Sequence, residues 1–127
     1  MTTLLLLAAM GSLSPGDTGR CKQTTYCPRC SGMTCADGSR VRRGVVSASP
    51  NVPMHSRVWI EGYGELLVTD RGGAVKVGGG YTRKGETANF DCWVPRCKGD
   101  CWTGPGTRRL VRYRIISTPP PKVRHHR

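Results

Sequence analysis

Short apolar runs separated by Gly, Pro and polar residues fill the middle of the chain, and none repeats at a helical period. Val45-Val46-Ser47-Ala48, Arg57-Val58-Trp59-Ile60 and Glu65-Leu66-Leu67-Val68-Thr69 are β-prone, with Pro50, Pro53 and Gly62-Tyr63-Gly64 between them. Runs bounded in this way predict strands, the last two forming a hairpin around Tyr63-Gly64. Further strands are predicted over Thr87–Val94 and over Leu110–Ile116, where Leu-Val-Arg-Tyr-Arg-Ile-Ile alternates. A shorter one is predicted over Ala74–Val77, inside the glycine-rich stretch Gly72–Gly80. Residues 16–39, rich in Cys, Gly, Thr and Ser, read as loop, as does the polar stretch 78–86. With no apolar period near 3.6 residues, the chain reads as all-β, a small barrel with no internal repeat.

The two ends differ from this middle. Leu4–Met10 is the one continuous apolar run, far short of the roughly 20 residues of a transmembrane helix. It has the character of the apolar stretch of an export signal, with small residues at Gly11–Ser14, although no Lys or Arg precedes it. Residues 1–20 are therefore read as a leader, residues 21–116 as the domain, and residues 117–127 as a basic, proline-rich tail. In that tail Pro119-Pro120-Pro121 favours an extended conformation.

Length and composition narrow the classes. The chain has 127 residues, 20 Lys+Arg against 8 Asp+Glu, and a single Phe. That suits one domain with a small core and excludes a multi-span membrane protein, a coiled coil or a collagen-like chain. A net charge of +12 draws anions: nucleic acid, acidic lipid or an anionic wall polymer. It also serves solubility alone.

Seven cysteines add a second constraint. Cys21, Cys27, Cys30 and Cys35 cluster early, and Cys92, Cys97 and Cys101 cluster late. Cys27-x-x-Cys30 and Cys97-x3-Cys101 have the form of zinc-ligand pairs, but the long strand-bearing stretch between them is unlike a zinc ribbon. The competing reading is a set of disulfides stapling the loops of an exported domain. The odd count leaves one thiol over, and connectivity does not follow from spacing. The only histidines are His55 and the tail pair His125 and His126, which argues against a catalytic thiol.

Carboxylates are scarce, and two of the five aspartates stand out. Asp70 opens Asp70-Arg71-Gly72-Gly73-Ala74-Val75-Lys76 directly after a predicted strand, where paired glycines let backbone approach a ligand. Asp91 lies within Asn89-Phe90-Asp91-Cys92-Trp93, where an apolar setting raises a carboxyl pKa and keeps it a proton donor near neutrality. The plainer reading makes Asp70 a turn cap and Asp91 a solvated strand residue.

The blocks Tyr26-Cys27-Pro28, Cys30-Ser31-Gly32-Met33-Thr34, Asp37-Gly38, Gly44–Pro50, Ser56–Ile60, Gly62-Tyr63-Gly64 and Asp70–Lys76 together resemble the three-aspartate (3D) domain. That domain occurs in membrane-bound lytic transglycosylase A and stationary-phase survival muralytic proteins, among the RlpA-like double-psi β-barrels. The resemblance runs from about Tyr26 to Ile116. It implies a six-stranded double-psi β-barrel, here with disulfide-rich loops, that cleaves the MurNAc–GlcNAc bond of peptidoglycan glycan strands and leaves 1,6-anhydromuramyl ends.

By the same resemblance, Asp91 is the catalytic acid/base and Asp70 its catalytic partner. Ser49 stands where the family has its first aspartate, as a neutral hydrogen-bonding substitute. Ser49, Tyr26, Gly72, Gly73 and Lys76 are the expected substrate-binding residues. No metal, cofactor, specific nucleic acid or transmembrane segment is expected, and the protein is expected to be an exported, monomeric component of a bacterial or phage system. Two further departures from the family pattern are visible: residues Gly78–Thr87 intrude between the two aspartates, and Cys92–Cys101 replaces the usual stretch after the second. Loop insertions of this kind cost little. Two alternatives accompany the enzyme: a non-catalytic, expansin-like wall-binding barrel, and a zinc-stabilised nucleic-acid binder without a readable motif.

Overall fold

A computed structural model describes residues 11–27, 32–72, 75, 77, 85–95 and 109–120. Six strands form a closed mixed barrel: β1 (Thr18–Tyr26), β2 (Val45–Ala48), β3 (Arg57–Ile60), β4 (Gly64–Asp70), β5 (Glu86–Trp93) and β6 (Arg109–Ser117). Around the ring the order is β1-β5-β2-β4-β3-β6, with β6 returning to β1. The pairs β1–β5 and β2–β4 are parallel, and the other four are antiparallel. Closure leaves no strand edge, so every strand finds a backbone partner on both sides.

The alternation read along the chain becomes the barrel wall. On β6, Val111, Tyr113 and Ile115 point inward while Arg112, Arg114 and Ile116 are exposed. On β3, Val58 and Ile60 are buried and Arg57 and Trp59 face out. With Val46, Ala48, Leu66, Val68, Ala88 and Phe90 they fill one interior core. Phe90 meets Tyr113 across it, ring centroids 5.6 Å apart and tilted by 59°. Burying a side chain of this size contributes about 1.5–3 kcal/mol. The β3–β4 hairpin turns at Gly62 and Gly64, both at positive φ, where a side chain would be strained.

Three expectations change. Residues 16–39 are not all loop, because β1 occupies nine of them. Its inward positions include Cys21 and Gln23, both fully buried, so a polar residue interrupts the apolar alternation. Gln23 is accommodated because its Nε2 donates to Thr24 O and Tyr63 Oη. β1 also begins at Thr18, inside the segment 1–20, and Leu13 packs against the barrel core. The strand predicted over Ala74–Val77 is not seen at Val75 or Val77, while Ala74 and Lys76 lie outside the described residues.

The cysteines are the third. Cys21, Cys35 and Cys92 are free, buried thiols rather than members of a disulfide framework. Cys21 and Cys92 fill space in the barrel core, and Cys35 packs with Tyr26 and Val41 in a smaller cluster beneath the 32–43 loop. Each acts as a small hydrophobe, and burial pushes the Cys21 thiol up to about 12. Cys27 is also buried; Cys30, Cys97 and Cys101 lie outside the described residues. Among the described residues no helix is long and apolar enough to cross a membrane.

Candidate functional site

The outward faces of β1, β5, β2 and β4 carry one polar row. Thr24 pairs with Asp91 across the parallel β1–β5 ladder, Asp91 with Ser47 across β5–β2, and Ser47 with Asp70 across β2–β4. The two aspartates thus flank a single serine, although 21 positions separate them in the chain (91 − 70 = 21). Asp70 reaches this row through a register shift between Val46 and Ser47. Val46 pairs with inward-facing Val68, so an unbroken register would set Ser47 against Thr69 instead. Irregularities of this type re-aim side chains beside functional sites.

Each carboxylate is held by named donors. Asp70 Oδ1 accepts from the amides of Ala36, at 2.7 Å, and Arg71, at 2.8 Å. Ala36 belongs to the loop that closes this face, pinned also by the Asp37 amide donating to Thr69 O. Asp91 Oδ1 accepts from Thr24 Oγ1 at 2.8 Å. Burial pushes the Asp91 carboxyl up to about 6. The Thr24 hydrogen bond and Lys22 pull it down, and the Asp70 charge adds to the rise. A carboxyl with that value holds a proton at mildly acidic pH and gives it up near neutrality, as an acid/base must.

Three polar groups around this pair are buried without a hydrogen-bond partner among the described residues: Ser47 Oγ, Tyr26 Oη and Trp93 Nε1. Tyr26 and Trp93 are register partners, two residues along from Thr24 and Asp91. Burial raises the Tyr26 phenol well above its ordinary value, with the charges of Asp70 and Asp91 adding to the effect. Buried donors left unmet are costly, so their gathering around two carboxylates marks a place where stability gives way to another requirement.

The expected site residues separate into groups. Asp70, Asp91 and Tyr26 come together. Gly72 joins them, because a methyl group there would lie 3.5 Å from Ser47 Oγ. Ser49 sits one step along the same face, opposite Asn89, and is fully buried. Its Oγ donates to Asn51 Oδ1 and accepts from the Asn89 amide, so it braces the end of β2, and Ser47 stands between the acids. Gly73 and Lys76 lie outside the described residues.

No family model, curated protein or solved structure matches this chain.

Sequence reasoning missed Thr24, Ser47 and the Asp37–His55 pair. Thr24 lay in a stretch read as loop. Ser47 carried one sequence signal, a polar residue inside the β-prone run Val45–Ala48, and in the structure all four positions of that strand are buried. His55 Nε2 lies 2.9 Å from Asp37 Oδ2, and His55 is the one described non-glycine residue at positive φ, 66°. Asp37 also accepts from the Ser39 hydroxyl and amide. The Ser39 hydroxyl first, with the Ser39 amide and His55, holds its carboxyl down at about 2. Together these contacts fix the loop that delivers the Ala36 amide to Asp70. Among the described residues no group of three or more His, Cys, Asp and Glu side chains is placed to hold a metal ion.

Proposed function

We propose that this chain is an exported peptidoglycan lytic transglycosylase on a double-psi β-barrel, with Asp91 as its acid/base. The observation that carries the reading is the position of Asp91. It is a partly desolvated carboxyl raised to about 6, bonded to Thr24, with Asp70 across Ser47. The barrel class is supported by a closed ring of six strands with two parallel pairs made by crossing connections.

In this reaction Asp91 gives its proton to the glycosidic oxygen as that oxygen leaves the anomeric carbon. The C6 hydroxyl of the same muramyl sugar then attacks the anomeric carbon, and the Asp91 carboxylate takes the hydroxyl proton. The proton account closes on one carboxyl group, and neither water nor a cofactor is consumed. Asp70, held by two amides across Ser47 from Asp91, orients substrate, while Ser47 Oγ and Tyr26 Oη supply polar groups beside it. The basic surface draws the anionic stem peptides of the glycan.

Digestion of purified sacculi followed by mass spectrometry tests this. Wild-type protein releases muropeptides with 1,6-anhydromuramyl ends, and Asp91→Asn releases none. Undiminished release by Asp91→Asn overturns the assignment.

One observation favours a second reading, a wall-binding barrel without chemistry. Ser49, at the family's first acidic position, is committed to Asn51 and Asn89, which leaves two carboxylates at the site. Sacculus binding with no released product selects it.

A further inference from the structure

Further along β1, the barrel wall carries a groove of about 710 Å³ over β1, β6 and β3. Trp59, Arg20, Arg112, Arg114 and Ile116 line it. Trp59 and Ile116 are among the few large apolar side chains left exposed, at 37% and 40%. Register joins the parts: Trp59 pairs with Arg114 across β3–β6, and Arg112 pairs with Arg20 across β6–β1. Like charges directly opposite on neighbouring strands destabilise a sheet, so this pairing costs stability. Arg112 is offset by Glu61 at 3.5 Å, and Arg20 has buried Glu86 as its other register partner; neither Arg20 nor Arg114 makes an ion pair among the described residues. Gly19, also in the groove lining, packs closely, since a methyl group there would collide with Thr87 Oγ1 and the Tyr113 hydroxyl.

An exposed indole among arginines is a paired chemistry. The ring face takes the apolar face of a sugar ring, and planar guanidinium groups take carboxylates through two parallel hydrogen bonds. One Trp ringed by three Arg fits a chain whose apolar rings alternate with pendant acids. Single-stranded nucleic acid is met instead by several aromatic side chains in succession.

We propose that this groove is a second glycan-binding subsite, holding a carboxylate-bearing stretch of peptidoglycan away from the acid/base site. It rests on the lytic reading only for the identity of the polymer. Along β1 the groove at Arg20 and the site at Thr24 are four residues apart, about 13 Å at the rise of a strand. A polymer bound at one place is thus presented to the other at raised effective concentration.

The test is co-sedimentation of the full chain with sacculi stripped of phosphate polymers, in an Asp91→Asn background that does not digest them. Adding Trp59→Ala and Arg114→Gln weakens sedimentation about tenfold with an unchanged thermal midpoint, as loss of a stacked ring and a guanidinium fork requires. Arg20→Gln alone, at an exposed position, gives a smaller loss and serves if the double change fails to fold. Unchanged sedimentation overturns the groove. So does a stronger effect on binding to oligothymidylate than to sacculi, which assigns it to nucleic acid. Weakened sedimentation supports the groove even if wild-type protein releases no anhydromuropeptides, so the two readings fail separately.

Discussion

Thr24 on β1 donates a 2.8 Å hydrogen bond to Asp91 Oδ1 on β5, across a parallel ladder that joins residues 67 positions apart. That bond favours the charged form of a carboxyl that burial drives toward the neutral one. Thr24→Val removes it while keeping the shape of the side chain. The Asp91 pKa then rises, and the alkaline limb of the pH–rate profile for anhydromuropeptide release moves to higher pH. A limb that stays in place would show that Asp91 is not the group whose protonation limits the rate.

Asp70→Asn acts in the opposite direction. The asparagine Oδ1 still accepts from the Ala36 and Arg71 amides, so the loop contact survives. The like charge is gone, and the Asp91 pKa falls. The alkaline limb moves to lower pH, and the two variants shift one profile in opposite senses.

Stability follows from the same carboxyl with a definite sign. The folded pKa of Asp91, about 6, lies above the ordinary value of 3.8. Between these values the folded state binds more protons than the unfolded chain, so stability falls as pH rises from about 4 to 6 and then levels off. Asp91→Asn removes this cost and still accepts from Thr24. After allowance for partial exposure the expected gain at pH 7 is about 1–3 kcal/mol, vanishing near pH 4. Thermal unfolding at the two pH values reads it, and a variant both inactive and more stable has the signature of a functional acid.

Gly19→Ala tests the tight wall beside the groove. The added methyl group meets Thr87 Oγ1 and Tyr113 Oη, which share a 2.7 Å hydrogen bond over that glycine. Crowding of this kind costs about 1–3 kcal/mol, read as a lowered denaturation midpoint with an unchanged slope.

Much of the fold was legible, and the illegible part has a physical reason. β2, β3 and the β3–β4 hairpin followed from short β-prone runs bounded by Gly and Pro, and β6 from alternation, because one face of that strand meets an apolar interior. β1 did not, because buried Gln23 breaks its pattern. Its strand state depends on β5 and β6, which lie far away in sequence and satisfy its backbone. The thiols were read as staples from their number. Depth decided otherwise: Cys21 and Cys92 lie inside the barrel and Cys35 under a loop, where a thiol packs as an apolar group.

The site divides along the same line. Asp70 and Asp91 could be singled out in the sequence, the first by its glycine block and the second by its apolar flanks, since local composition alone sets those features. The resemblance to a three-aspartate domain rests on such local blocks. Tertiary structure decided that a register shift in β2–β4 brings Asp70 to the Ser47 that β5 sets against Asp91, that Thr24 holds Asp91, and that Ser49 braces a strand end. It also decided that part of the basic excess gathers around Trp59 where β1, β6 and β3 meet. Closing a barrel joins strands remote in sequence, and the pairing across its ladders, which no local pattern encodes, determines which side chains meet.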